Sequence, residues 1–345
     1  MFVESDRLFM NRALFLAARG QGTVSPNPMV GCVVVYDGRI IGEGWHERYG
    51  GSHAEVNALK NLSDSDILAK STVYVNLEPC AHYGKTPPCA LLLIQKGIKN
   101  LVVAQQDPNP LVSGKGIELL AQSGAQVRVG LCEREAKHLN RRFLTNILKK
   151  RAYILLKYAQ SADGYISQLD KKPIPISNAL TNRLVHKWRA QEDAILVGSG
   201  TVLADNPRLS ARFGQSNQPI PVVLDRNLSL SQDFKVFKHD KGLVFHQKKD
   251  IATERQIYIE HQDFLKGVFE KLYQIGIGSV LVEGGQQVHE ALIKNALWDE
   301  ARVIVNEQIL HKGLPAPKGL DMSLAQTANV ADDRIFTLFR ESFFQ

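Results

Sequence analysis

Three short stretches of this chain carry the residue types that hold a metal ion and move protons. They are His53-Ala54-Glu55, Pro79-Cys80 and Cys89. One neutral imidazole and two thiolates give Zn2+ three ligands and leave a fourth position open for water. An open site of this kind lowers the pKa of its water to about 7. Glu55, two residues beyond the histidine, can face the reacting molecule while His53 faces the metal, so it is the expected proton carrier. The competing reading is a pair of structural cysteines and a capping histidine, or a structural zinc. A structural zinc usually takes four protein ligands, and only three plus Glu55 are found. Cys32 lies among valines and reads as core. Cys132 stands at a helix start without a partner motif and reads as structural.

These groups need a scaffold, and the hydrophobic pattern supplies one. A helix is expected over 5–19, with Ser5 as N-cap and Gly20 as stop. Residues 30–36 and 39–45 around Asp37-Gly38 read as a hairpin. Helices at 53–62 and 89–97 alternate with strands at 71–77, 100–105 and 125–130. A helix over 114–124 lies between the last two strands, and a longer one over 133–149 ends the half. The three ligand segments are each expected at a helix N-terminus, where partial positive charge favours thiolate. Alternation of this kind predicts an α/β domain with helices on both faces of a sheet.

A second α/β unit starts with a strand at 151–159. It continues with a helix near 180–190, strands at 194–199 and 221–225, a helix at 263–274, a strand at 279–285 and a helix at 286–296. The boundary falls at 148–151, which gives domains 1–148 and 149–345 without a Pro/Gly-rich linker. Two domains suit 345 residues. No apolar run reaches 18 residues, and the first twenty carry Glu4 and Asp6. Neither a membrane span nor a signal peptide is therefore expected, and a cytoplasmic location is. Four cysteines in such a chain do not read as a disulfide framework. The net charge of +7 suits phosphorylated ligands, but no basic stripe interleaved with aromatics points to nucleic acid.

The H-x-E and P-C elements resemble the zinc-dependent base deaminases, in which the glutamate is not a ligand. The spacing departs from their P-C-x-x-C, since eight residues separate Cys80 from Cys89. The segments SPNPMVGCVVV (25–35), GWHERYGGSHAE (44–55), EPCAHYGKTPPC (78–89) and DPNPLVSGKGI (107–117) resemble the bifunctional riboflavin-biosynthesis deaminase–reductases, whose long zinc loop removes that discrepancy. The resemblance implies a cytidine-deaminase-like three-layer α/β/α domain that hydrolyses an amino group of a phosphoribosylated diaminopyrimidinone. It also implies that Asn27, His46, Lys85, Asp107 and Asn109 line the substrate pocket.

The second half lacks the G-x-G-x-x-G of a Rossmann site. Its segments LKYAQSADGYIS (156–167), RAQEDAILVGSGTVLADNPRL (189–209) and LVEGG (281–285) resemble the reductase domain of the same family. The resemblance implies a dihydrofolate-reductase-like α/β fold that uses NADPH. Ala159, Thr201, Asp205, Arg226 and Gly285 are then expected near the cofactor, and Lys157, Arg189, Leu209, Arg212 and Glu283 near the substrate. Arg189 and Arg212 suit a phosphate, and Arg226 suits the cofactor's 2′-phosphate unless it pairs with Asp225. Where the family has a Ser/Gln/Trp-Ile-Thr stretch, this chain has Lys172 to Ser177, with Pro175 in place of the tryptophan. A homo-oligomer that acts on a small phosphorylated pyrimidine is expected. The alternative is a nucleoside or nucleic-acid base deaminase with an inactive appended domain.

Overall fold

The computed structural model describes residues 2–83, 87–110, 112–169, 174–214, 217–251 and 253–340. The chain divides into two compact units, the first closing at Lys150 and the second opening at Arg151. No helix among the described residues is long and apolar enough to cross a membrane.

The first unit runs α1 (Glu4–Ala18), β1 (Gly31–Tyr36), β2 (Arg39–Trp45), α2 (Ala54–Leu59), α3 (Ser65–Lys70), β3 (Thr72–Val75), α4 (Cys89–Gln95), β4 (Asn100–Val103), α5 (Lys115–Gln122), β5 (Gln126–Val129), α6 (Glu133–Leu139) and α7 (Arg141–Lys149). The sheet order is β2-β1-β3-β4-β5. Its first three strands pair antiparallel and β3, β4 and β5 pair parallel. Strand β1 is buried on both faces because its side chains alternate between two cores. Cys32 and Val34 join α2, α4 and α5 on one side, and Val33 and Val35 join α1 and α6 on the other. This is the three-layer α/β/α arrangement.

Two local expectations change. Val3, not Ser5, caps α1, because the Asp6 carboxylate reaches back to the Val3 N–H at 2.9 Å. Gly20 stands just past the Arg19 C-cap, as expected of the stop, though without a left-handed φ. The helix expected over 133–149 breaks at Asn140, whose buried amide is bonded to both backbone groups of Met29.

The second unit runs β6 (Tyr153–Gln160), β7 (Tyr165–Ser167), α8 (Ala179–Gln191), β8 (Ala194–Gly198), α9 (Ser199–Asp205), β9 (Ile220–Leu224), β10 (Leu243–His246), β11 (Gln256–Tyr258), α10 (Phe264–Gln274), β12 (Ser279–Val282), α11 (Gln286–Lys294), β13 (Glu300–Asn306), β14 (Leu314–Pro315), β15 (Gln326–Val330) and β16 (Asp333–Phe339). Its main sheet has the order β11-β10-β9-β8-β12-β6-β13-β16-β15. The seven strands from β11 to β13 are parallel, while β16 and β15 add antiparallel. The core repeats the logic of the first unit. Ile154 and Leu156 of β6 face the α10 side, and Tyr153 and Leu155 the other. Strand β8 leads on to β9 at one side, whereas β12 leads through α11 to β13 at the other. The chain thus diverges between β8 and β12, and ligands of open α/β sheets bind in the crevice outside the strand carboxyl ends at such a point.

Candidate active sites

In the first unit His53 is the N-cap of α2, Cys89 is the first residue of α4, and Glu55 lies in the first turn of α2. Cys80 heads no helix, contrary to expectation. It lies in the loop after β3, and its sulfur accepts the Cys89 N–H at 3.3 Å, so both sulfurs meet at one helix start. His53 Nδ1 is 3.2 Å from Cys89 Sγ and 3.6 Å from Cys80 Sγ, and the three donor atoms all lie within 4.8 Å of one another. A tetrahedral zinc with Zn–N of about 2.05 Å and Zn–S of about 2.3 Å separates nitrogen from sulfur by roughly 3.6 Å. The donor set and its spacing therefore fit Zn2+. By themselves the sulfurs compete for a proton. The hydrogen bond from Cys89 pulls the Cys80 thiol down to about 4, and the partner thiolate pushes Cys89 well up. A divalent cation removes that competition, since ligation displaces the thiol protons.

Glu55 is buried beside this cluster, and burial raises its carboxyl pKa. His46 lies at the end of β2, with its ring centroid 5.7 Å from that of His53. Its Nδ1 donates to the Ser52 carbonyl at 3.0 Å, which leaves Nε2 to accept from the Asn27 amide at 3.2 Å. Burial lowers the His46 pKa and keeps the ring neutral. Among the described residues nothing accepts the second Asn27 amide hydrogen, so this side chain can meet the edge of a heterocycle. Asp107 and Asn109 follow β4. Asn109 N–H donates to the Asp107 carboxylate at 2.8 Å, and burial raises the Asp107 pKa. Lys85 lies outside the described residues.

Two asparagines and a glutamate that the sequence reading left unassigned hold these pieces. Asn76, just past β3, accepts from Gly31 N–H at 2.8 Å and donates to Met29, while Asn140 clamps Met29 from the other side. Glu78 takes backbone N–H groups from the segment after β4. A polar residue at the end of an apolar strand, as in TVYVNLEP, is the available signal.

In the second unit Lys157 and Ala159 lie near the carboxyl end of β6, Thr201 follows β8, and Glu283 and Gly285 follow β12. Arg189 Nε donates to one Glu283 oxygen at 2.8 Å, its Nη2 to the other, and its Nη1 to the Ser210 carbonyl at 3.1 Å. Arg189 is thus committed to an internal ion pair, and its charge is largely spent there. Burial pushes the Glu283 carboxyl up, but Arg189 and Lys157 outweigh it, and the group falls to about 2. Burial likewise lowers Lys157, against the pull of Glu283. Arg212 is exposed, and its backbone N–H donates to His186 Nδ1 at 3.1 Å. Burial, with Arg189 and Arg212, lowers His186 to about 4. Leu209 is buried in the core at a left-handed φ of 52°, a conformation that bulky residues rarely adopt.

Thr201 Oγ1 accepts the Gly285 N–H at 3.0 Å, and a Cβ on Gly284 would lie 2.8 Å from that oxygen. The turn after β12 therefore closes on the start of α9 only with glycine. The N-terminus of α11 follows directly, a ready site for a dinucleotide phosphate. Ala159 is half-buried on β6, and Asp205 ends α9 at the surface. Arg226 is exposed with its guanidinium 4.8 Å from the Phe264 ring. Among the described residues Asp225 makes no ion pair with it; its carboxylate accepts from Ser229 Oγ and Leu230 N. In the altered segment Lys172 and Pro173 lie outside the described residues, Pro175 is exposed and Ile176 is buried. The residues present fit NADPH by their glycine turn, helix start and exposed arginine.

Comparison with known proteins agrees with this geometry. Residues 3–105 match the cytidine and deoxycytidylate deaminase zinc-binding region, and residues 152–327 match the RibD C-terminal domain. The riboflavin biosynthesis protein RibD of Aquifex aeolicus is 39% identical over 323 residues, which cover 91% of this chain and 90% of the relative. RibD of Escherichia coli is 37% identical, covering 92% of each chain. The Thermotoga maritima diaminohydroxyphosphoribosylaminopyrimidine deaminase/5-amino-6-(5-phosphoribosylamino)uracil reductase superposes with a TM-score of 0.87 at 37% identity, over 97% of this chain and 98% of that one. Acinetobacter baumannii RibD superposes with a TM-score of 0.88 at 34% identity, over 97% and 99%. The chain belongs to the RibD family of bifunctional riboflavin-biosynthesis deaminase–reductases.

Proposed function

We propose that the unit within 1–148 deaminates a diaminohydroxyphosphoribosylaminopyrimidine and the unit within 149–345 reduces the ribosyl side chain of the product with NADPH. The observation that carries the reading is the His53–Cys80–Cys89 donor set with Glu55 buried beside it. Zn2+ on these donors supplies Lewis acidity at an open position. Glu55 takes a proton from the attacking water, gives it to a ring nitrogen, and carries a second to the departing ammonia. The water oxygen bonds to the ring carbon as the ring C=N bond opens onto the protonated nitrogen, and the C–NH2 bond then breaks as the new hydroxyl loses its proton and becomes the carbonyl. His46, held neutral, and Asn27 orient the ring edge. Asp107, Asn109 and Lys85 complete the pocket.

In the reductase NADPH supplies a hydride. Thr201, Asp205, Gly285 and Ala159 bracket the cofactor, and Arg226 reads its 2′-phosphate. Lys157, Leu209 and Glu283 face the substrate. Because Arg189 is bound to Glu283, it acts in this scheme by orienting that carboxylate, and Arg212 carries the free charge for the substrate phosphate. The enzyme works in the cytoplasm on a small molecule and not on nucleic acid, as a homo-oligomer. Incubation of the purified chain with the diaminopyrimidine, with and without NADPH, tests the reading. Ammonia release followed by NADPH oxidation is expected. Ammonia release without NADPH oxidation would leave a deaminase alone, as expected if the Pro175 segment disables the second site.

A further inference from the structure

One buried carboxylate outside both donor sets joins the sulfur-bearing loop of the first unit to the start of a helix. Glu78 is 4% exposed. Its Oε2 accepts the N–H of Asp107 at 3.1 Å and of Gly114 at 3.0 Å, and its Oε1 those of Gly116 at 2.9 Å and Ile117 at 3.5 Å. Helix α5 begins at Lys115 with Gly114 as N-cap, a residue with no side chain to offer. The first N–H groups of a helix have no partner within it, and an anion there also meets the positive end of the helix dipole. Glu78 supplies that cap from a distant segment. Two more contacts fix the join. Glu78 N–H donates to the Gln105 carbonyl at 2.9 Å, and a Cβ on Gly116 would lie only 2.0 Å from the Pro79 carbonyl.

We propose that Glu78 is a positioning residue for deamination, setting Asp107 and Asn109 relative to the metal-binding cysteine two residues beyond it. The inference rests on the assignment of Asp107 and Asn109 to substrate recognition made above. The relay is short. Glu78 fixes the Asp107 backbone, and the Asp107 carboxylate fixes the Asn109 backbone. Glu78 itself bonds to no metal-donor side chain among the described residues. A carboxamide at this position turns one acceptor into an NH2 that faces N–H groups, so the relay loosens on one side while the sulfurs stay in place.

The test uses full-length, zinc-loaded protein and the variants Glu78→Gln, Glu78→Asp and Gly116→Ala. Glu78→Gln is expected to raise the KM for the diaminopyrimidine roughly tenfold with kcat changed less than about threefold, at full zinc content. Hydrogen exchange at the Asp107, Gly114 and Gly116 amides should quicken by a similar factor. Glu78→Asp keeps two acceptors and should recover most of the KM. Gly116→Ala, which drives α5 from Pro79 without altering the carboxylate, should reproduce the KM defect. An unchanged KM in Glu78→Gln, or loss of zinc with collapse of kcat, overturns the proposal. If Glu78→Gln fails to fold, Gly116→Ala decides by the same KM–kcat split. If the unmodified protein releases no ammonia, the functional reading has failed instead, and the amide exchange still reports whether Glu78 orders the segment.

Discussion

The two sites handle buried charge in opposite ways. The first collects a histidine, two thiols and a carboxyl with no protein cation among the donors, an arrangement that becomes balanced when a divalent cation arrives. The second pairs its charges internally: Arg189 is bidentate on Glu283, and Lys157 stands near both. A site of the first kind depends on its metal for both stability and chemistry. A site of the second kind is preformed and pays for burial with partners already in the chain.

The sharpest way to break this comparison is to remove a metal donor. Cys89→Ser should abolish zinc binding and deamination and destabilise the first unit, because a hydroxyl is a poor zinc ligand at neutral pH. NADPH oxidation, given the deaminated substrate, should survive. Elemental analysis decides, and full zinc occupancy would mean that the donors are misassigned.

Glu55→Gln separates the metal from the chemistry. The amide cannot carry protons, so deamination should fall by roughly 10²–10⁴-fold, while zinc content and reduction stay unchanged. Loss of zinc in this variant would make Glu55 a ligand.

The second unit should respond through stability. Glu283→Gln leaves the Arg189 guanidinium buried against a neutral partner, and breaking a buried pair costs roughly 3–5 kcal/mol. A fall in Tm of the second transition is expected. Acid should act on the same unit through its histidines. Burial holds His289, with its ring nitrogen bonded to the Val282 carbonyl, down to about 4 from 6.5. A histidine with a lowered folded pKa leaves the unfolded chain binding more protons between these values. Stability is therefore full above about pH 6.5 and declines as pH falls toward 4. Glu283, lowered to about 2 from 4.5, adds a further loss on the acid side, from about 4.5 downward. Thermal unfolding scans from pH 7 to 4 check the direction.

How much of each site was legible in the sequence follows from the same contrast. His53 and Cys89 are 36 positions apart and each begins a helix, so motif and local structure coincide. Arg189 and Glu283 are 94 apart, and nothing near either residue announces the pair. Sequence alone therefore offered Arg189 as a phosphate ligand when its fork was already taken. The alternation that revealed the central strands also faded where strands β15 and β16 add antiparallel, since β15 is mostly exposed and lacks an apolar face. Glu78 and Asn76 carried only the faint signal of a polar residue at the end of an apolar strand, and their roles stayed hidden for another reason. Their partners are backbone groups, which every residue carries.

The finest test of the comparison is the one free charge expected at the cofactor. Arg226 follows β9 and sits over the Phe264 ring, with its backbone oxygen accepting Gln247 N–H at 3.0 Å. The Asp225 carboxylate accepts from Ser229 and Leu230 and makes no ion pair with Arg226 among the described residues. If it reads the 2′-phosphate, Arg226→Ala should weaken NADPH and spare NADH. A buried charge-assisted bond is worth roughly 1.5–3 kcal/mol, but Arg226 is exposed and water screens it. A rise of about three- to tenfold in the NADPH constant is therefore expected. Arg226→Lys should retain part of the preference, because the point charge remains while the planar fork and its stacking on Phe264 are lost. Added salt should narrow the NADPH–NADH difference in the unmodified protein and leave it nearly flat in the alanine variant. Equal weakening of both cofactors would show that Arg226 supports the adenosine site by packing on Phe264 and does not discriminate by charge.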